Sequence, residues 1–529
     1  MNGTQAMIAT ATPLSAWLII LPLVLALMGA ALLLVARRMQ RSQAGFAMLV
    51  TATVLVGDVA LFAQVMRSGP VGMTMGKWLP PFGISFTADI FGAGFAAMAA
   101  LLTLVVLIYA QVERRAEDGG DGFYPLVLLL LAGVTGSFLT GDLFNLYVWF
   151  EVTLIASFGL IINGGTALQL DGAVKYGFLN FLATTVFLAG LGLLYGLVGT
   201  LNMADVIGAA PKANGPAMAG VAALLLLAFG MKAAAFPFNA WLPASYHTPT
   251  VAVSALFAGL LTKVGIYALL RTMVVLLPAS HEMLQPALAV IAILTLVVAP
   301  LGAIAETNLR RALGFIVIGS IGSVLAGIAL PSQIGVTGAG LYIVHSMLTM
   351  TALFLVAGLV EGVTGQTDSR QMGGVYAASG PLSTLFIVLV LAAAGVPPLL
   401  GFWPKLALLQ AGLAEAGLGG QLDYASLGIV IALLVNAVLT LIAGTRLWAH
   451  IFWRAGPEGA LAEHASSSVR ALTRREAWLG LWPTMALVAL IVVLGLAPDR
   501  LFAAAQAGAA DLVDPARYIA AVGLMGGAP

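Results

Sequence analysis

The sequence predicts an all-α polytopic membrane protein. Of its 529 residues, 61% are hydrophobic and only 9% are charged, and the mean hydropathy is +1.03. Apolar runs of about 20 residues, the length that an α-helix needs to cross a bilayer, recur along the chain. This hydropathy favours a membrane protein over the several soluble domains that the length alone would suit.

Fourteen membrane-spanning helices are predicted when a window of about 20 residues is moved along the chain. The first apolar run, Leu14–Val35, is too long for the core of a signal peptide and follows no basic region. It is therefore interpreted as a retained helix. The predicted spans lie at about 14–36, 44–66, 86–110, 124–140, 142–163, 175–199, 217–236, 249–277, 286–304, 309–330, 336–360, 380–412, 425–449 and 480–498.

The distribution of Lys and Arg predicts that both termini are external. This orientation places fourteen of these residues in cytoplasmic loops, six outside and three within the membrane, as the positive-inside rule requires. The cytoplasmic residues are Arg37, Arg38, Arg41, Arg114, Arg115, Lys175, Arg310, Arg311, Arg370, Arg446, Arg454, Arg470, Arg474 and Arg475. The external residues are Arg67, Lys77, Lys212, Arg271, Arg500 and Arg517.

An internal repeat is indicated by two segments that interrupt long apolar spans with proline beside a lysine. They lie at 230–243 and 395–405, and such paired interruptions are typical of transporters whose broken helices line the ion site. No soluble domain is predicted, because the longest polar stretch, 454–476, is too short to form a core of its own.

Four ionisable residues, Glu151, Lys232, Lys263 and Lys405, lie deep inside apolar stretches. A charged side chain at the centre of a membrane helix costs roughly 2.5–3.5 kcal/mol, and such residues usually line ion or proton routes. Glu151 lies nine residues after Asp142, which places it roughly 14 Å into a hydrocarbon core about 30 Å thick.

Glu151 has no partner on its own helix, so it requires a cation from another helix or a proton. Lys232 is the predicted partner, and the two form either a proton-transfer pair or a static structural ion pair. Lys263 lies at the midpoint of its span, where it reaches neither surface and can exchange protons. Lys405 follows proline breaks, so it lies either at mid-depth or near the end of a broken segment.

Other candidates are less specific. His345 is either a relay between the lysines or a packing residue, and His247 is either a helix-boundary hydrogen-bonding residue or a proton-loading residue. Asp58 lies at membrane depth, facing either a partner subunit or a cavity. Asp142 is interpreted as the cap of the following helix, with Asn145 on the same face.

Several functional classes are excluded or unsupported. The chain has no cysteine, so it holds neither a disulfide nor a thiolate-ligated metal or iron–sulfur cluster, and any redox chemistry must belong to partners. No phosphate loop, dinucleotide fingerprint or hydrolase triad is present, and nucleic-acid binding has no support. No cofactor or metal is predicted.

Two stretches resemble a known family. They are GDLFNLYVWFE at 141–151 and WLPASYHTPTVAVSALFAGLLTKVGIYALLR at 241–271. Both closely resemble the D-type subunits of Mrp-type multisubunit Na⁺/H⁺ antiporters, a family related to the antiporter-like subunits of respiratory complex I and membrane-bound hydrogenases.

The resemblance implies a fourteen-helix fold with two inverted five-helix repeats containing discontinuous helices. The implied organisation is N-terminal helices at 1–123, a first repeat at 124–277, a second at 278–450, and a loop, last helix and short external tail at 451–529. It also implies other Mrp subunits as partners, H⁺ and Na⁺ as the transported ions, and a bacterial cytoplasmic membrane as the location.

By the same resemblance, Glu151 and Lys232 match the coupling pair, Lys263 the central lysine, and Lys405 the terminal lysine of the discontinuous twelfth helix. One position departs from the family pattern, because Met350 stands where many relatives carry a lysine, five residues after His345. The alternative functions are a proton-pumping membrane subunit of a complex I-type oxidoreductase or hydrogenase, and an ion-coupled partner in inorganic-carbon uptake.

Overall fold

The protein is a bundle of apolar helices. The computed structural model describes residues 12–38, 40–78, 82–114, 122–417, 423–455 and 469–522. Within these ranges, twelve helices are long and apolar enough to cross a membrane, and two further apolar helices are shorter. The predicted polytopic all-α class is therefore confirmed.

The main helices overlap the predicted spans, except that the span predicted at 380–412 is divided in two and the last two helices lie after the final span. They are α1 Trp17–Val35, α2 Gln40–Ser68, α3 Ile90–Glu113, α4 Phe123–Leu139, α5 Leu143–Ile161, α6 Ala167–Val198, α7 Gly215–Ala233, α8 Val251–Leu276, α9 Pro278–Ala305, α10 Leu309–Ala329, α11 Gln333–Thr364, α12 Gly380–Ala394, α13 Phe402–Glu415, α14 Tyr424–Trp453, α15 Glu476–Leu496, α16 Asp499–Val513 and α17 Ala516–Ala521. Short helices at Met203–Ala209, Trp241–Ser245 and Val375–Ala378 lie in the connections.

Helix α8 lies at the centre of the bundle. All of its most apolar stretch is buried, as is 94% of the corresponding stretches of α10 and α11, whereas α2 and α6 are mostly exposed. A helix that is apolar on every side is stable only when other helices surround it or lipid does. The most central helix of the protein is thus the one that carries Lys263.

Helices α7 and α12 both end inside the bundle. Ala234 follows α7 with φ 60° and Gly395 follows α12 with φ 85°, so each helix ends on a left-handed residue. The chain then continues through Trp241–Ser245 in the first case and through α13 in the second. The two interruptions inferred from proline and lysine are present in the structure.

Two features of the fold were not predicted. Strands β1 Val71–Thr74 and β2 Ser85–Ala88 form an antiparallel hairpin beside the start of α3. The described part of the tail after α15, predicted as a short external extension, forms helices α16 and α17. Helix α16 packs against α3 and α11. Its apolar residues occupy one face only, so it escapes a search for membrane-length apolar runs.

Arg271, counted among the external residues, is buried between helices in the structure. Arg271 is 3% exposed at the end of α8 and forms an ion pair with Asp89, which also caps α3 by accepting from Gly92 N at 2.7 Å. The guanidinium donates to the Tyr267 hydroxyl at 3.1 Å and lies 4.5 Å from the centroid of the Tyr518 ring. The partner comes from a helix distant in sequence, so a hydropathy window cannot reveal it.

We expect Arg271→Met to destabilise the folded chain by about 3–5 kcal/mol, because removal of one partner leaves the buried Asp89 charge without compensation. The midpoint of thermal unfolding of the detergent-purified protein measures this. Replacement of both residues, as Asp89→Asn with Arg271→Met, should recover part of the loss, since asparagine still caps a helix. Arg500→Met at an exposed site is the matched control. An unchanged midpoint for Arg271→Met would contradict the prediction.

Candidate functional site

The four ionisable residues of the apolar stretches and His345 are the main candidates. Four of these five residues lie in the core of the bundle. Lys232, Lys263, His345 and Lys405 are at most 5% exposed, and they come from α7, α8, α11 and α13. The charges of Lys263 and Lys405 both act on the His345 ring. A Cβ built on Gly401, four residues before Lys405, would lie 2.9 Å from the His345 Nε2, so the start of α13 packs against the histidine.

Glu151 occupies a different position, at the edge of the bundle. It is partly exposed, and its neighbours on the same face of α5, Val148 and Ile155, are 40% and 62% exposed. Its charge acts on Lys232, but no ion pair joins the two among the described residues. The predicted partners are neighbours without direct contact.

Lys232 lies on the last turn of α7. Its Nζ is 5.3 Å from the centroid of the Phe150 ring and has no hydrogen-bond partner in the described part of the chain. A cation over an aromatic face is stabilised by roughly 0.5–2 kcal/mol, less than a carboxylate contributes at contact distance. The ammonium group of Lys232 can therefore gain a closer partner without first breaking a hydrogen bond.

Lys263 and Lys405 each donate to backbone carbonyls at irregular points of a helix. Lys263 Nζ donates to Ala258 O at 2.6 Å, inside the π-helical segment Phe257–Leu261, and π turns are frequent at functional sites. Lys405 Nζ donates to Ala394 O at 2.7 Å and Ala393 O at 3.3 Å, at the interrupted end of α12. Lys405 is buried in the first turn of α13, beside the interruption.

His345 has one ring nitrogen engaged and one without a partner. Nδ1 lies 3.2 Å from the Thr349 Oγ1, and Nε2 is buried without a hydrogen bond within the described ranges. Thr349 was missed by sequence reasoning, although its spacing of four residues on one helix is a usable signal. Thr349 directly precedes Met350. Met350 is 2% exposed and offers no proton-carrying group.

The three secondary candidates stand apart from this cluster. Asp142 caps α5 by accepting from Asn145 N at 2.8 Å, which confirms the capping interpretation. The His247 Nδ1 lies 2.9 Å from Pro243 O, which supports its hydrogen-bonding role. Asp58 is fully buried on α2, and neither of its carboxylate oxygens has a hydrogen-bond partner among the described residues.

The chain belongs to the family of transmembrane subunits shared by NADH:quinone oxidoreductases and Mrp antiporters, because the model of that family matches residues 140–422. The matched segment contains all five main candidates. It begins just before α5 and ends after α13.

Curated relatives and solved structures agree with this assignment. The chain is 36% identical to the D-type subunit of the Na(+)/H(+) antiporter of Alkalihalophilus pseudofirmus, over 96% of this chain and 99% of the relative. It is 33% identical to the protein of the same name from Bacillus subtilis, over 95% and 99%. A chain in the Mrp complex from Dietzia sp. superposes with a TM-score of 0.85 at 30% identity, covering 97% of this chain and 100% of that one.

We expect Gly401→Ala to disturb the interruption between α12 and α13. A Cβ at Gly401 would lie 1.9 Å from Ala392 O and 2.8 Å from His345 Cε1, so backbone must move. Overpacking of this kind typically costs about 1–3 kcal/mol. The loss should appear as a lower thermal midpoint of the purified protein.

Gly380→Ala is the matched control, because a Cβ there meets nothing within 4 Å. Gly380 begins α12, and alanine in a helix is more stable than glycine by roughly 0.5–1 kcal/mol. Equal thermal midpoints for the two variants would show that the interruption tolerates displacement.

Proposed function

We propose that the chain is the proton-translocating subunit of an Mrp-type multisubunit Na⁺/H⁺ antiporter, acting as a secondary transporter subunit and not as an enzyme. The observation that carries the proposal is the set of buried ionisable groups on α7, α8, α11 and α13, of which Lys232 Nζ and His345 Nε2 have no hydrogen-bond partner among the described residues. Relatives named as D-type antiporter subunits match nearly the full length of the chain, which supports partnership with the other Mrp subunits.

The proposed route runs from Glu151 and Lys232 through Lys263 and His345 to Lys405. When the Glu151 carboxylate approaches Lys232, it holds the ammonium form; when the two separate, the lysine releases its proton toward Lys263. A proton entering down the membrane potential supplies about 2.3 kcal/mol per 100 mV, which drives Na⁺ export in the complete assembly.

Met350 does not interrupt this route, because His345 and the hydroxyl of Thr349 provide proton-carrying groups beside it. The Thr349 Oγ1 contacts the His345 Nδ1, which leaves Nε2 open toward Gly401 and the start of α13. The imidazole can accept a proton at Nδ1 by way of the Thr349 hydroxyl and release its other proton from Nε2 toward Lys405.

The inverted repeats are supported by two matching hydrogen-bond patterns. Before α5, Leu143 N donates to Leu201 O and Met203 N to Gly141 O. Before α10, Leu309 N donates to Thr367 O and Ser369 N to Thr307 O. Each residue of the second pattern lies the same number of residues along the sequence from the corresponding residue of the first pattern.

The backbone hydrogen bonds at the two helix interruptions also correspond. Ala235 N donates to Gly230 O after α7, and Val396 N donates to Leu391 O after α12. Five spans separate each of these elements from its counterpart, so the two copies run in opposite directions across the membrane. This arrangement supports the proposed repeats at 124–277 and 278–450, and we propose with them fourteen crossings and external termini.

A proton pump within a redox complex is the second candidate. A chain of an archaeal membrane-bound sulfane sulfur reductase superposes with a TM-score of 0.83 at 25% identity. In a redox complex the same buried groups of this chain would move protons without Na⁺ exchange. The two functions therefore differ in their response to Na⁺.

We expect Lys232→Ala and Glu151→Gln to lower Na⁺-dependent transport at least tenfold, because each removes one charge of the coupling pair. The measurement uses everted vesicles containing this chain with its neighbouring subunits, and follows dissipation of the pH gradient after Na⁺ is added. Lys175→Ala is the control, since Lys175 pairs with Asp171 on the exposed face of α6.

The amount of assembled complex must be compared across these variants. Loss of the complex in Lys232→Ala would support the static ion-pair interpretation. An assembled wild-type complex that shows no Na⁺ response would shift the assignment to the redox-linked pump.

A further inference from the structure

Four aromatic rings enclose a small region between α6, α8 and the segment that follows α7. Their neighbouring centroids are 5.5 Å apart for Tyr176 and Trp241, 5.8 Å for Trp241 and Tyr246, 5.5 Å for Tyr246 and Phe257, and 6.1 Å for Phe257 and Tyr176. We call these residues the aromatic quartet. Rings in such contact leave no passage for a hydrated cation.

Two hydroxyl groups lie within this packing. The Tyr176 hydroxyl is 2.6 Å from the Ser157 Oγ of α5. The Tyr246 hydroxyl is fully buried and has no hydrogen-bond partner in the described segments. A buried hydroxyl without a partner costs about 1–3 kcal/mol, so this group requires either a water molecule or a function.

The quartet is connected to Lys232. Trp241 Nε1 donates to the carbonyl of Met231, the residue that precedes the lysine. On the inner face of α5, Thr153 lies one turn from Ser157, and its hydroxyl is also buried and unpartnered among the described residues. Thr153 in turn lies one turn from Phe150, whose ring faces the lysine.

Successive hydroxyls on this face are separated by about 4–6 Å along the helix axis. A single water molecule spans such a gap by bonding to both groups. The unpartnered atoms of Lys232, Thr153 and Tyr246 are the positions at which these waters would bond.

On its other side the quartet adjoins a polar cavity at the end of the bundle where α8 begins. The cavity has a volume of about 340 Å³ and is lined by Tyr109, Glu113, Thr250, Arg310, Glu361 and Glu476, among others. Tyr109 is 1% exposed, and the charges of the glutamates in the cavity wall act on its hydroxyl. In the proposed topology this end is cytoplasmic.

A single serine joins the cavity to the quartet. The Ser254 hydroxyl donates to Tyr246 O at 2.6 Å and accepts from Arg310 at 3.4 Å. Arg310 also binds Glu361 at 3.1 Å within the cavity wall. Polar groups are therefore continuous from the cavity to the backbone of Tyr246.

We propose that Tyr246 is a proton-relay residue between the glutamate-lined cavity and Lys232. The phenol oxygen accepts a proton from one water while its own proton passes to the next, so no charge remains on the ring. The aromatic quartet admits protons, which move along hydrogen bonds, and excludes Na⁺, which would need its water shell. This inference rests on the proposed function of the chain.

The test compares Tyr246→Phe with Tyr124→Phe in everted vesicles of the complete complex. Tyr246→Phe keeps the ring and removes the hydroxyl, so we expect Na⁺-dependent transport to fall at least fivefold with an unchanged apparent KM for Na⁺. The solvent deuterium isotope effect should rise, because proton transfer becomes rate-limiting. Tyr124 is also buried, and its hydroxyl accepts from Gln111 away from the route, so Tyr124→Phe should transport normally.

A second variant carries 3,5-difluorotyrosine at position 246, which preserves packing and makes the phenol more acidic. A changed transport rate with this residue supports the relay even where Tyr246→Phe fails to assemble. Unchanged rates with it, or with assembled Tyr246→Phe, overturn the relay. Loss of Na⁺ response in the wild-type complex would instead reject the proposed function, so the two failures are distinguishable.

Discussion

The arrangement of the core depends on the solvation of ammonium groups by backbone carbonyls in a medium without bulk water. Lys263 is held by a carbonyl inside a π-helical segment, and Lys405 by two carbonyls at the end of an interrupted helix. In a regular α-helix each carbonyl already accepts an N–H from the next turn, so an irregular or terminal turn offers a less occupied acceptor. Each irregularity therefore stabilises one charge, and the charge in turn makes the irregularity tolerable in an apolar environment.

Lys232 differs from these two lysines, and the difference suits its proposed role. It contacts only an aromatic ring, while the nearest carboxylate, on Glu151, remains out of direct contact. Close packing positions it, since a Cβ on Gly265 of α8 would lie 3.1 Å from the Cβ of Lys232. A cation held by weak contacts responds strongly to the approach of one opposite charge, whereas the carbonyl-bound lysines change less.

The partial exposure of Glu151 gives the proposed proton route an open end, where the acid can respond to a neighbouring protein surface as well as to Lys232.

Much of this protein is determined by local sequence. Long apolar runs must be helices in a bilayer, so the class, the span positions and the two interruptions follow from hydropathy and proline. Charged residues in such runs are costly enough that Lys232, Lys263 and Lys405 are recognisable one at a time, without knowledge of their neighbours. The capping role of Asp142 is local for the same reason, since a cap and its helix adjoin in sequence.

Only the tertiary structure decides which groups meet. The Asp89–Arg271 pair, the packing of His345 against Gly401, and the ring contact of Trp241 with Tyr176 each join segments distant in the chain. Hydropathy carries no information about which face of a helix meets which neighbour, because every face of a buried membrane helix is apolar. The packing of side chains between helices supplies that information, and it places Glu151 at the edge of the bundle and Lys263 at its centre.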